Sequence, residues 1–345
     1  MTTTSNPSLT MRASVLTGVG SLTIEDRPVP SPGPHEVLVE VAAVGVCGSD
    51  VHYYRHGRIG DHVVTGPMVL GHELSGRIAA VGAEVDPNRV GQRVAVEPQH
   101  PCRRCKQCTA GRYNLCPDMK FFATPPVDGA LCRYVTSGAE MAHPVPDSMS
   151  DEAAALLEPL SVAIATMRKA AVVPGSTILI AGAGPIGVMC AQTARAFGAA
   201  RVVVSDPLPA RRERVRRFGA TEVLDPAADD VATLDPQVDA FVDASGAPPA
   251  VISGIKAVGP AGRVVLVGMG AGDFPLPISY IQNMEITVTG VFRYTDTWPA
   301  AIHLVTSGAI DLDALVTAHY DLDHVADALE ADSDPGSLKS IVTPS

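Results

Sequence analysis

Residues Thr177 to Asp206, TILIAGAGPIGVMCAQTARAFGAARVVVSD, hold an apolar run, a glycine-rich turn, a helical stretch and a second apolar run ending in an acid. Ile178 to Ala181 are apolar without alternation, the pattern of a parallel strand buried on both faces. Gly182, Gly184 and Gly187 follow as G-x-G-x-x-G. That spacing gives the first glycine to a tight turn, the second to backbone approach toward a pyrophosphate, and the third to close packing of helix on strand. Pro185 suits a first helical turn. Asp206, nineteen residues beyond Gly187, stands where a carboxylate accepts hydrogen bonds from an adenosine ribose. A glycine turn alone can merely pack. Strand, turn, helix, strand and acid in this order point to a βαβ unit that binds a dinucleotide. The acid repels a 2′-phosphate and so favours NAD over NADP, while Arg211, Arg212 and Arg214 offer either phosphate partners or a solvated helix face.

Downstream, strands are expected at Glu222 to Leu224, Ala240 to Ala244, Arg263 to Gly268 and Ile286 to Phe292. With the first two they make six, the number in a doubly wound dinucleotide domain. Upstream, Met11 to about Val96 reads as short strands broken by turn residues: RASVLT, SLTIED, HEVLVEVAAVG, LSGRIAAVG and QRVAVEP. Asp151 to Lys169 has helical composition with an interruption expected at Pro159. The stretches AAIHLVTSG and DHVADALEA also read as helical, and a short strand is expected near Ser340 to Thr343. The fold class is therefore α/β, a β-rich domain joined to a parallel-sheet domain.

The chain has 345 residues, long for one core, so two domains are expected. A hydrophobic content of 46% allows a large interior, and a net charge of −11 argues against nucleic acid or an anionic membrane as partner. The uncharged run over 170–194 is broken by Pro174, Gly175, Gly182 and Pro185, so a buried strand, turn and helix explain it better than a membrane span. MTTTSNPSLTMR lacks an apolar signal core and reads as a frayed polar tail, the start expected of a cytoplasmic enzyme.

Four of the seven cysteines, Cys102, Cys105, Cys108 and Cys116, fall in C-x2-C-x2-C-x7-C within a polar segment. Four thiolates so spaced can close on a structural Zn²⁺. An iron–sulfur cluster is the alternative, but the bacterial run has three residues before its last cysteine and this chain has seven. A second set is scattered: Cys47, His72, Glu73 and Glu158. Each has a plain reading as a core thiol, a satisfied imidazole or a helix carboxylate. Glu158 fits that least, because AAALLEPLSVAIA surrounds it with apolar side chains and an unpaired buried carboxylate is costly. Cys, His, a carboxylate and a water make an open catalytic zinc site. His72 and Glu73 can both ligate only if the backbone bends, which Gly71 permits; otherwise one lies behind the other.

The motif G71-H72-E73-x-x-G76-x5-G82 resembles the signature of the zinc-containing medium-chain alcohol dehydrogenases, and the four-cysteine lobe is similar to their structural zinc lobe. CGSDVHYY (47–54), HGRIGD (56–61), PMVLGHE (67–73), FFATPPVDGALCRY (121–134), EPLSVA (158–163) and GVFRYTDTWP (290–299) resemble the polyol branch, the sorbitol, L-iditol and xylitol dehydrogenases. The complete cysteine lobe departs from the vertebrate sorbitol enzymes and is more like the bacterial and insect ones. The resemblance implies a GroES-like catalytic domain at 1–162 with a return at 298–345, a Rossmann domain at 163–297, and a homotetramer. It implies Cys47, His72 and Glu73 at the catalytic zinc, with Glu158 as a further ligand or holder of its water. Ser49 and His52 match proton-relay positions. Tyr53, Phe121, Glu158, Arg293 and Tyr294, with Ser49, match the polyol pocket. Cofactor positions are Gly182, Gly184, Pro185, Ile186, Gly187, Asp206, Arg211, Val267, Gly268, Val291, Phe292 and Arg293, the last having a role toward either substrate or cofactor.

A bound zinc lowers the pKa of water from about 16 to about 7, worth roughly 12 kcal/mol if an alcohol behaves alike. The Tyr-x-x-x-Lys pair that serves short-chain dehydrogenases is absent. The expected reaction is NAD-dependent oxidation of a sugar alcohol, its proton leaving by Ser49 and His52 and its hydride passing to the nicotinamide. Alternatives are sister enzymes acting on threonine, 2,3-butanediol or glucose, a zinc-free quinone reductase of the same fold, and a structural zinc and nucleotide sensor.

Overall fold

The computed structural model describes residues 9–270 and 272–344. Of the polar tail expected over 1–12, residues 1–8 lie outside the described residues, and the remainder already enters the strand Thr10–Gly18. The chain divides into two compact units: Met1–Glu158 with Leu312–Ser345, and Pro159–Asp311. The sequence expectation put these seams near 162 and 297.

The second unit is a six-stranded sheet, parallel throughout. Its order is Glu222–Leu224, Arg201–Ser205, Thr177–Ala181, Val238–Asp243, Val258–Leu266, Thr287–Gly290. This doubly wound order reverses beside the first strand, so the crevice at the carboxyl ends of Thr177–Ala181 and Val238–Asp243 is the natural ligand site. Ile178, Leu179 and Ile180 are fully buried, as their unbroken apolar run requires. The helices Pro185–Ala196, Pro209–Arg216 and Pro248–Ala257 each begin with proline, whose missing N–H costs nothing in a first turn. The last strand is shorter than the run Ile286 to Phe292, and a helix Ile278–Asn283 precedes it.

In the first unit, the longest sheet runs Ala142–Pro144, Arg93–Val96, Glu73–Val81, Glu36–Gly45, Lys339–Thr343, Val316–Asp321, with Tyr134–Gly138 also on Glu36–Gly45. The C-terminal strand Lys339–Thr343 thus joins a sheet made by the front of the chain, with Ile341 opposite Gly45. A smaller sheet joins Ser21–Pro28, Thr10–Gly18 and Met68–Val69.

Three features depart from the sequence expectation. Gly48–His56 is a helix, although its residues alone show no amphipathic stripe. Val316–Asp321 is a strand with every second residue exposed. The helical break falls at Leu156: Asp151–Ala155, begun by the Ser150 Oγ cap, ends there and Leu157–Lys169 follows at once. Pro159 sits in the first turn of Leu157–Lys169, where no intrahelical donor is lost.

Candidate metal centre and dinucleotide cradle

Beyond the strand Glu36–Gly45, Cys47 caps the helix Gly48–His56. The carboxylate of Asp50 then ties two loops together. Its Oδ2 accepts the Cys47 N–H at 3.1 Å and its Oδ1 accepts the Gly71 N–H at 2.9 Å. Gly71 has φ +89°, the left-handed bend that lets consecutive side chains serve one site. A ring nitrogen of His72, a carboxylate oxygen of Glu73 and Sγ of Cys47 all lie within 4.8 Å of one another. Hard and soft donors in one cluster, at the mouth of a helix, fit Zn²⁺.

Burial opposes charge on both His72 and Asp50, yet their mutual attraction wins. Asp50 and Cys47 hold the imidazole well above its ordinary pKa, and His72 with the two backbone N–H groups holds the Asp50 carboxyl below its own. Asp50 Oδ1 stands 3.7 Å from His72 Nδ1. A carboxylate behind a histidine is the arrangement that orients an imidazole toward a metal. The ring of Phe121 packs on His72 with centroids 5.4 Å apart.

Glu158, 4% exposed, is the second residue of Leu157–Lys169 and lies outside the three-residue cluster. Ser49, His52 and Tyr53 share one face of Gly48–His56 at helical spacing; Ser49 is half-buried, His52 exposed and Tyr53 buried. Two residues at the site went unread in the sequence. Asp50 carries a signal, an acid three places after a helix cap. Lys339 carries none. Its Nζ lies 2.6 Å from Val46 O and 2.5 Å from Glu73 Oε2, and it is 2% exposed.

Cys102, Cys105, Cys108 and Cys116 form a second cluster within the same 4.8 Å limit. Cys105 and Cys108 Sγ are 3.5 Å apart, unbonded and near the edge of about 3.8 Å that a tetrahedron with Zn–S bonds of about 2.3 Å would have. Cys116 Sγ accepts the Cys102 N–H and Cys105 Sγ the Cys108 N–H. The Cys108 N–H holds the Cys105 thiol down at about 7, while burial and the Cys105 sulfur push Cys108 up to about 12; four sulfurs this close suit a closed tetrahedral site.

In the second unit the glycine motif forms a cradle. Gly182 has φ +100°. A Cβ on Gly187 would stand 1.9 Å from Gly182 O, whereas a Cβ on Gly184 would meet no protein atom within 4 Å. The turn therefore leaves open space where a phosphate approaches backbone N–H groups at the start of Pro185–Ala196. Beside it lies a cavity of 740 Å³ lined by Gly182, Gly184, Asp206, Leu208, Arg211 and Val231, among others. Asp206, 3% exposed, accepts the Ala183 N–H at Oδ2 and the Leu208 N–H at Oδ1, both at 2.8 Å. Ile186 follows in the first helical turn. Val267 and Gly268 donate to Asp243 O, and Val291 donates to Leu266 O. The Arg293 guanidinium stacks 4.6 Å from the centroid of an exposed Phe292, while Tyr294 is buried edge-on to Trp298. Val267, Gly268, Val291, Phe292, Arg293 and Tyr294 do not line that cavity. Among the described residues, no helix is long and apolar enough to cross a membrane.

Comparison with known proteins gives two family matches: an alcohol dehydrogenase GroES-like domain over residues 33–147 and a zinc-binding dehydrogenase domain over 185–307. The sorbitol dehydrogenase of Bacillus subtilis is 44% identical over 327 residues, 93% of each chain. A probable D-xylulose reductase A of Aspergillus clavatus is 40% identical over 95% of each. Among solved structures, L-idonate 5-dehydrogenase of Escherichia coli superposes with a TM-score of 0.90 at 30% identity, covering 97% of this chain and 98% of that one.

Proposed function

The chain belongs to the zinc-binding alcohol dehydrogenase family, and from that membership we propose that it oxidises a sugar alcohol such as sorbitol, xylitol or L-iditol to the ketose with NAD. The observation that carries this reading is the meeting of Cys47, His72 and Glu73, three ligand types from two loops, in a chain whose relatives act on polyols. These three residues hold the catalytic zinc, with Glu158 as holder of its water or a fourth ligand. Bound there, zinc supplies a Lewis acid that makes a hydroxyl acidic near neutral pH. Ser49 accepts the substrate proton at Oγ and passes it to His52, whose exposed ring returns it to solvent. Tyr53, Phe121 and Glu158 select a chain of several hydroxyls, because polar groups built for those hydroxyls stay unpaired with a plain alcohol.

The cradle at Gly182, Gly184, Pro185, Ile186 and Gly187 takes the pyrophosphate, and Asp206 takes the adenosine ribose. Arg211, Val267, Gly268, Val291, Phe292 and Arg293 complete the cofactor contacts. Cys102, Cys105, Cys108 and Cys116 hold a structural zinc. The edge strand Thr287–Gly290 is available to pair between copies in a homotetramer, and the enzyme works in the cytoplasm. The test is a set of initial rates for xylitol, sorbitol and threonine with NAD and with NADP, before and after chelation. Polyol turnover with NAD that chelation abolishes is expected. Equal turnover of threonine and sorbitol, or of 2,3-butanediol or glucose, would favour the sister enzymes. Metal analysis giving one zinc per chain would count against the catalytic ion.

A further inference from the structure

We propose that Lys339 is a positioning residue that competes with the catalytic ion for the carboxylate of Glu73 and thereby limits how tightly that ion is held. This rests on the assignment of Cys47, His72 and Glu73 to the ion. Lys339 opens the C-terminal strand, whose register against Glu36–Gly45, with Ile341 opposite Gly45 and Val342 opposite Val44, fixes where its side chain enters. The ammonium is anchored from one side by Val46 O at 2.6 Å and faces Glu73 Oε2 at 2.5 Å. Both side chains are almost wholly buried, at 2% and 1% exposed. Glu73 cannot retreat toward the strand, since even a Cβ on Gly45 would lie 2.2 Å from Oε2. Its carboxylate is therefore caught between lysine and the ligand cluster.

A buried lysine is costly without an anion. Here the need is mutual, because Lys339 is the cation that faces the Glu73 carboxylate among the described residues. When the ion is bound, the same carboxylate answers two cations. A carboxylate shared with an ammonium donates less charge to a metal than one left to it alone. The ammonium also repels a divalent cation across a few ångströms of low-dielectric interior. Both effects have the same sign: Lys339 loosens the metal while keeping Glu73 compensated in its absence.

The test follows zinc release from purified holoenzyme to an excess of chelator, with the catalytic phase identified as the one missing from Cys47→Ser. Lys339→Gln keeps a donor for Val46 O but removes the charge. It is expected to release that zinc at least about tenfold more slowly than the wild type, since each 1.4 kcal/mol is a factor of ten. Lys339→Arg keeps the charge and is expected to release it at near the wild-type rate. Structural damage would speed release, so slower release cannot come from a loosened fold. Release from Lys339→Gln at the wild-type rate or faster overturns the proposal. So does failure of that variant to fold in zinc, because the ion would then compensate Glu73. A wild-type chain that carries one zinc, with no phase lost in Cys47→Ser, removes the metal assignment itself.

Discussion

Asp50 and Gly71 are joined by a hydrogen bond from the Gly71 N–H to Asp50 Oδ1 at 2.9 Å, and that same oxygen stands 3.7 Å from His72 Nδ1. Because the other carboxylate oxygen takes the Cys47 N–H, one side chain sets the spacing of the two loops that carry the ligands. Asp50→Asn removes the charge that backs the imidazole while leaving a side chain of the same shape. Loss of a partner behind a metal-bound histidine typically costs about 10–100-fold in metal affinity. Chelator competition should show that loss, and unchanged zinc affinity in Asp50→Asn would refute the linkage.

Gly184 and Gly187 lie three residues apart, yet alanine should fail at them for different reasons. At Gly187 the new Cβ would sit 1.9 Å from Gly182 O, so helix and turn must move. Overpacking of that kind costs about 1–3 kcal/mol, and Gly187→Ala should melt at a lower temperature. At Gly184 the new Cβ meets no protein atom, and the backbone at φ −75° accepts alanine. Gly184→Ala should therefore keep its melting temperature and lose affinity for NADH by at least about tenfold, because the methyl fills the phosphate's approach. Fluorescence titration with NADH, beside thermal melts, separates the two, and wild-type binding by Gly184→Ala would sink the cradle.

The contrast between these sites explains what the sequence disclosed. The glycine turn is a local device: its conformational demands, a left-handed Gly182 and no side chain at Gly187, fall within six residues, so the letters display them. The cysteine lobe is likewise closed within fifteen residues. The ligand cluster is not local. Cys47 and Glu73 meet because Gly45 pairs opposite Glu73 in the sheet, a register that no spacing rule gives, and only the resemblance of the motifs brought those residues together beforehand. Lys339 arrives from 293 positions away and reads, in isolation, as the polar edge of an apolar strand. The helix Gly48–His56 was hidden for a related reason. It is held by the Asp50 cap and by buried Val51, Tyr53 and Tyr54 rather than by a clean amphipathic pattern.

Asp206 is doing two jobs, and a cofactor switch has to respect both. Its two oxygens are already accepting the Ala183 and Leu208 N–H groups, so the carboxylate shapes the turn besides the cofactor choice proposed for it. Asp206→Ala leaves those donors unsatisfied at about 1–3 kcal/mol for each that stays buried. It should lower the melting temperature while raising the NADP to NAD ratio of kcat/KM. Asp206→Asn keeps one acceptor and should raise the ratio with a smaller loss of stability. Arg211 lines the cavity, its Nε buried without a hydrogen-bond partner, and is the cation expected to meet a 2′-phosphate in these variants. Steady-state rates with both cofactors check this, and an unchanged ratio in both variants would remove Asp206 from cofactor choice.

Removing the metals should bring out a difference in reactivity among the cysteines. Cys132 and Cys190 are buried, and burial pushes both thiols up to about 12. They stay protonated through the neutral range, and only the thiolate attacks an alkylating agent. In folded, chelated protein at about pH 8, iodoacetamide should label Cys105, whose thiol the Cys108 N–H pulls down to about 7, and spare Cys132 and Cys190 together with Cys108, which burial and the Cys105 sulfur push up to about 12. With zinc restored, Cys105 should be protected, because a thiolate bound to zinc has its lone pair engaged. Mass spectrometry of peptides reads each site. Labelling of the lobe at equal rates with and without zinc would mean that these four sulfurs do not hold the ion.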